Sequence, residues 1–202
     1  MTRKRALLVE AATHAFLEHG FAETSVNRIA ADAGVSIKTL YRHFDNKDDL
    51  FSAVMQAACS TAPDASIAGS DYPSWYDLPP AEAFVEAGTG YLKHLTSSEQ
   101  LALYRVVVRD AARFPELGRR YLDEATGARD ARFTGYLDRW AALAGWTIRD
   151  GRSAARSFAV LLKADLFDEV LLGIVEPTDE LVVVNARRAA ERMLSLVEKG
   201  CF

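Results

Sequence analysis

The chain has 202 residues, of which half are hydrophobic and 26% charged, with a net charge of −4. That is long enough for one large domain, or for a small and a medium one with packed cores, and too acidic to coat nucleic acid by bulk charge. No apolar run reaches the roughly eighteen residues a membrane span needs. Two cysteines, Cys59 and Cys201, are too few for a disulfide framework or a zinc site, so a reduced, cytoplasmic protein is expected.

The first residues, Arg3-Lys4-Arg5 before an apolar stretch, begin like a signal peptide, but Glu10 and His14 interrupt the apolar run. Residues 3–19 read instead as a helix with Leu8, Ala12, Ala15, Phe16 and His19 on one stripe, Gly20 ending it and Phe21 closing over the core. The basic arm is either a solubilising tail or a contact to phosphates or the minor groove. His14 and Glu18 stand at metal-pair spacing, but with no third ligand in sight they read as solvated.

From Thr24 to Leu50 the pattern is two short helices around a tight turn and the start of a third. Thr24 and Ser25 are good N-cap residues, and Val26, Ile29, Ala30 and Ala33 follow at helical spacing. Gly34 stops that helix, where the reversal wants a left-handed backbone. Val35 is apolar within the turn and suits a plug between packed helices. Ser36 caps a second helix, Ile37 to Phe44, with Ile37, Leu40 and Phe44 on one face. The other face carries Lys38, Thr39, Tyr41, Arg42 and His43, and Lys47 follows. A helix this short is not stable alone, so tertiary packing must hold it while its outer face reads phosphates and base edges. Residues 1–50 hold seven basic and seven acidic side chains, five of the basic ones in the arm and the reading helix.

These residues carry a resemblance. Ala12-Phe16-Gly20-Phe21, Thr24-Ser25-Val26, Ile29-Ala30, Ala33-Gly34-Val35-Ser36, Thr39-Leu40-Tyr41, His43-Phe44 and Asn46-Lys47-Asp48-Asp49-Leu50 resemble the DNA-binding domain of the TetR/AcrR family of transcriptional regulators. The likeness covers about the first quarter of the chain. It implies an all-α homodimer with an N-terminal three-helix helix-turn-helix domain (residues 1–50) and a C-terminal helical ligand-binding and dimerisation domain (51–202). It also implies a near-palindromic operator as partner and a small-molecule effector that weakens DNA binding. Thr24, Ser25, Arg28, Ser36, Lys38, Thr39, Tyr41, Arg42, His43 and Lys47 are the expected DNA contacts.

Beyond the reading helix, Asn46 caps a fourth helix running through Leu50, Phe51, Val54 and Met55 towards Ser60. Residues 60–80 are rich in proline and small polar residues and read as a connection, with Tyr72, Trp75 and Tyr76 packing as a flap over the second domain or, alternatively, touching a ligand. Five more helices follow, at about 81–97, 98–113, 115–144, 152–174 and 178–199. The first carries Gly88 and Gly90, which imply close helix approach or ligand space. The second bears Arg105, Arg109 and Arg113 as one basic stripe. The fourth reads as apolar almost all round, hence buried on two sides. The last two helices are expected to form the dimer interface, a four-helix bundle with the partner.

Asp165, Asp168 and Glu169 fall on one face of the 152–174 segment and need partners, either arginines such as Arg105 or Arg109, or solvent. Alternatively they wall a pocket for cationic or hydrogen-bond-donating compounds, with Tyr91, His94, Tyr104, Phe133 and Trp140 as its aromatic lining and Asp165 and Glu169 as its polar groups. No nucleophile elbow, metal-protease motif or Gly-rich phosphate loop is present, which argues against an enzyme, and neither a cofactor nor a metal is expected. The reading is a ligand-responsive regulator, most simply a repressor; a constitutive DNA-binding protein without ligand control is the alternative.

Overall fold

The computed structural model describes residues 3–60 and 73–202, the side chains of 59, 60, 124–126 and 128 excepted. Tyr72 and the side chain of Cys59 therefore lie outside the described residues. Every regular element among those described is helical: α1 (Arg3–Glu23), α2 (Val26–Asp32), α3 (Ile37–His43), α4 (Lys47–Ser60), a 3₁₀ turn (Ser74–Asp77), α5 (Pro80–Leu95), α6 (Ser98–Asp110), α7 (Pro115–Ala144), α8 (Gly151–Lys163), α9 (Phe167–Leu171) and α10 (Asp179–Glu198). Packing divides the chain into two compact units, 1–61 with 98–127, and 62–97 with 128–202. The sequence division at residue 50 thus sets α1–α3 apart, whereas packing groups them with α4, α6 and the first turns of α7.

Local signals explain how the first unit starts and stops its helices. Ser36 Oγ accepts from Thr39 N–H at 3.1 Å to cap α3, and Asn46 Oδ1 accepts from Asp49 N–H at 2.8 Å to cap α4. Ser25 occupies the N-cap position of α2 without a side-chain cap bond. At the end of α2, Val35 N–H reaches Ala30 O and Gly34 N–H reaches Ala31 O, each at 3.0 Å, with Gly34 at φ +64°. This paired closure requires a left-handed residue, which is why glycine stands there. Leu8, Ala12 and Phe16 from α1, Ile29 from α2, Leu40 from α3 and Leu50, Phe51 and Met55 from α4 close one core. The rings of Phe16, Phe21 and Phe51 lie 5.5–5.6 Å apart, so they form a single cluster. Ile37, expected on the buried face, is 36% exposed; Leu40 and Phe44 are the buried anchors of the seven-residue α3.

The end of α1 gathers the unit's strongest polar contacts. Helical geometry breaks at Gly20 (φ 80°, ψ 175°) and resumes for one turn. The break frees backbone groups, and several of them find charged partners. Asp110 of α6 accepts from Phe21 N–H at 2.7 Å and from Ala22 N–H at 3.1 Å. Lys47 of α4 donates to the carbonyls of Phe21 (2.7 Å), Thr24 (3.0 Å) and Ala22 (3.3 Å), and its ammonium lies 4.5 Å from the Phe21 ring centroid. Arg109 holds Asp110 and donates to His19 O at 3.2 Å. Burial opposes ionisation of Asp110, but the Arg109 bond and the two backbone N–H bonds together outweigh it and leave the carboxyl below its usual range. Burial likewise lowers the Lys47 ammonium, against the pull of Asp48, Asp110 and Glu23.

In the second unit, α5 packs along α8 and α10, and the 3₁₀ turn packs on α5. Gly88 answers to close approach, since a Cβ there would lie 2.8 Å from Leu162 Cδ2. Trp75, Phe84, Phe133, Tyr136 and Phe158 form a continuous aromatic layer. Tyr136 donates to Leu78 O at 2.8 Å, and its burial pushes the phenol pKa well up, against the pull of Arg139. The buried Trp75 and its neighbour Tyr76 pack on Tyr136, as expected of a flap.

The 152–174 segment departs from expectation. It is not one helix apolar all round: α8 ends at Lys163, Leu166 takes φ −138°, and α9 is a separate short helix. Ala155, Phe158, Ala159 and Leu162 are buried, whereas Val160 on the opposite face is 66% exposed. Asp165, Asp168 and Glu169 are all exposed. Asp165 pairs with Arg192 of α10 at 3.2 Å, not with Arg105 or Arg109.

Two outcomes follow from the clasp on α1. Asp110→Ala leaves two N–H groups without their acceptor and is expected to lower stability by about 3 kcal/mol, read from the denaturant midpoint. Because the folded pKa of Asp110 is depressed, its stabilisation is complete above the unfolded value of roughly 3.9 and is lost as pH falls through the lower folded value. Asp110→Asn should therefore flatten the acid limb of stability below about pH 4. Gly20→Ala would place Cβ 0.9 Å from Arg109 Nη2 at a glycine-only backbone angle, and should cost about 3 kcal/mol in the same measurement.

Candidate nucleic-acid interface

With Leu40 and Phe44 turned inward, α3 presents Lys38, Tyr41 and Arg42 outward, and Tyr41 is 51% exposed although aromatic. Ser36 and Thr39, whose hydroxyls lie 2.9 Å apart, sit at the start of the same helix. Ser25 at the N-cap of α2 and Arg28 within it are exposed, and Arg28 pairs loosely with Asp32 at 3.8 Å. Arg5 of α1 places its guanidinium 5.0 Å from the Phe44 ring. Two cations, an aromatic hydroxyl and small hydroxyls on one projecting helix can donate to phosphates and to base edges.

Three expected contacts behave differently. Thr24 is 4% exposed, and its hydroxyl proton is shared between Gly20 O at 2.6 Å and Ala15 O at 3.0 Å. Lys47 directs its ammonium at the three carbonyls that end α1. Both side chains thus serve the fold, and neither offers a donor outward. His43 is half-buried beside Phe44, its Nε2 shielded from solvent without a hydrogen-bond partner among the described residues.

The expected ligand residues separate. Tyr91 and Phe133 meet in one narrow apolar cleft of the second unit, with Trp75, Phe158, Leu162 and three alanines, 87, 155 and 159. His94 is half-buried on α5 and does not line it. Tyr104 packs on Tyr121 at 5.6 Å in the first unit, and Trp140 packs on Tyr136 at 6.2 Å. Asp165 and Glu169 lie exposed and apart from the cleft, so the expected acidic wall is corrected. The charged group that does line the cleft is Arg129, which sequence reasoning missed. Its signal was available: Arg129 stands four residues before Phe133, on an apolar stripe where a cation needs a reason. The cleft's volume is ≈ 20 Å³, room for about one water-sized group. Among the described residues no group of three or more His, Cys, Asp or Glu side chains could hold a metal. Nor is any helix there long and apolar enough to cross a membrane.

Comparison with known proteins accords with this arrangement. The family described as bacterial regulatory proteins, tetR family, matches residues 8–54, and the C-terminal domain of AefR-like transcriptional repressors matches residues 82–196. The HTH-type transcriptional regulator SAB2452 of Staphylococcus aureus (strain bovine RF122 / ET3-1) is 42% identical over 57 residues, which is 28% of this chain and 31% of that protein. TtgR of Pseudomonas putida, also an HTH-type regulator, is 40% identical over 57 residues, 28% of this chain and 27% of that one. The match therefore spans under a third of the length of these relatives. A TetR-family regulator of Mesorhizobium loti MAFF303099 superposes with TM-score 0.78 at 24% identity, covering 96% of each chain, and shares the fold. The Flavonoid-responsive Regulator FrrA superposes with TM-score 0.76 at 28% identity, covering 96% of this chain and 97% of its own. The chain belongs to the TetR family of transcriptional regulators, with an AefR-like C-terminal domain.

Proposed function

We propose that the protein is an effector-responsive repressor that binds a palindromic operator as a homodimer, in the cytoplasm where that DNA lies. The observation that carries the reading is the outward face of α3: Lys38, Tyr41 and Arg42 project from a short helix whose opposite face is locked into the core. Residues 1–50 are the reading domain, with Ser25, Arg28, Ser36, Lys38, Thr39, Tyr41 and Arg42 as contacts and His43 at the edge. Residues 51–202 carry effector binding and dimerisation. Thr24 and Lys47 act by holding the end of α1. Dimerisation runs through the last long helices, where Val160 of α8 (66% exposed) and Val184 of α10 (42%) stand uncovered. A palindromic operator with half-sites one turn apart needs two reading helices about 34–36 Å apart.

The effector site is the cleft around Phe133, and FrrA, responsive to flavonoids by its name, supports control by a small molecule. Ligand sites usually measure about 300–1,000 Å³, so the closed cleft of ≈ 20 Å³ must open. An effector then acts by favouring the open state, and it shifts operator affinity only by its preference between the two. The tight cleft also favours a second reading, a constitutive DNA binder. That reading holds if no small molecule changes operator affinity.

Selection from random duplexes should enrich an inverted repeat with half-sites about one turn apart. Tyr41→Ala/Arg42→Ala, both exposed, should stay folded and lose the enrichment, while Lys47→Ala should lose stability by about 2 kcal/mol in the denaturant midpoint. Val160→Glu/Val184→Glu should sediment as a folded monomer and bind the repeat weakly. Persistence of a dimer in that variant would move the interface elsewhere.

A further inference from the structure

Arg129 enters the cleft as part of a charge cluster around one buried carboxylate, with the Arg156 side chain itself exposed. Asp130 is almost fully buried, and Arg129 grips it with Nε at 3.0 Å and with Nη2, while Arg156 Nε approaches its other oxygen at 3.4 Å. Two guanidiniums thus meet one carboxylate, and the cluster carries a net positive charge. The third bond of Arg129 runs from Nη1 to the Tyr91 hydroxyl oxygen at 2.9 Å, its Cζ lying 5.0 Å from that ring's centroid. A guanidinium has five N–H donors, and three are engaged here. A tyrosine oxygen that accepts from arginine keeps its own proton to donate. The polar end of the cleft therefore offers donors and positive charge.

The rest of the cleft is flat and apolar. Phe133 and Phe158 stack at 4.8 Å, and the Trp75 indole, 6.2 Å from Phe133, fills what space remains. Trp75 reaches this place from the 3₁₀ turn, which side-chain contacts pin to neighbouring helices. Arg139 pairs with Asp77 at 2.7 Å, Tyr136 donates to Leu78 O at 2.8 Å, and Ser74 bonds Glu86. The Arg139–Asp77 pair is solvent-exposed, hence weak.

We propose that the cleft takes a planar bicyclic aromatic molecule bearing an anionic group. Its ring system takes the place of the Trp75 indole beside Phe133, and its anion binds Arg129 and Tyr91. The proposal rests on the reading of this cleft as the effector site and names the class of effector. It reverses the preference for cations that an acidic wall would have imposed. A cationic ligand would face the net positive Arg129–Asp130–Arg156 cluster, and a neutral isostere could still accept from Arg129 but would lose the pairing of opposite charges, worth about tenfold.

The test uses the full-length protein and three isosteric probes, 2-naphthoate, 2-naphthamide and 2-naphthylmethylammonium, in titration calorimetry. Naphthoate should bind about tenfold more tightly than the amide, with the ammonium weakest. Arg129→Gln should abolish the preference and Arg129→Lys should restore part of it. Asp77→Asn, which loosens the turn, should tighten binding of naphthoate. Should Arg129→Gln fail to fold, as judged by circular dichroism, Tyr91→Phe takes its place and should weaken naphthoate several-fold. Equal affinities for the three probes, or naphthoate binding indifferent to these variants, would overturn the ligand class while leaving the cleft as an effector site. Binding of no probe to either wild type or Asp77→Asn would overturn both.

Discussion

The first unit depends on how the end of α1 is held. A helix that breaks at Gly20 leaves amides and carbonyls uncapped inside a packed protein, and an uncapped buried terminus is not tolerated. Here α6 supplies the anion, through Asp110, and α4 supplies the cation, through Lys47, so one backbone turn receives charge of both signs from two helices. Charge-assisted bonds of this kind are the stronger sort. They fix the ends of α4 and α6 to α1, and α1 is the helix on which α2 and α3 are packed. Any change in the approach of α4 or α6 must break or carry these bonds.

Much of the architecture was legible because its causes are local. Ser36, Asn46 and Thr178 cap helices where a hydroxyl or amide three residues upstream can reach a free N–H, and Pro115 opens α7. The misreadings came from contacts distant in sequence. Nothing near Lys47 announces that carbonyls of residues 21–24 lie beside it, so a basic residue after a reading helix looked like a phosphate contact. The helix expected over 152–174 has no proline or glycine within 152–172 to mark the break before α9, and apolar periodicity alone does not show it. Asp165 and Glu169 share a helical face only if that helix is continuous, and it is not. The grouping of α6 with the N-terminal helices was invisible for the same reason, since it rests on Asp110 meeting Phe21 across 89 residues.

The second unit joins a tight aromatic layer to a charge cluster around one buried carboxylate. Phe84, Phe133, Tyr136 and Phe158 give rigidity, and burying Asp130 is tolerable only because two arginines meet it. A cleft that is nearly filled by its own tryptophan binds a ligand less tightly than an open one, by the fraction of time it is open. The same closure gives a regulator a low response to chance apolar compounds. On the proposed reading, Trp75 and the weakly stapled turn that carries it set the threshold for response.

The central claim is that DNA docks on the outward face of α3. Hydrogen–deuterium exchange of the full-length protein, with and without a duplex carrying the selected inverted repeat, tests it most directly. The account requires slowed exchange at residues 36–43, with α8 and α10 unchanged. Protection confined to the second unit, or none at residues 36–43 under saturating DNA, would contradict it.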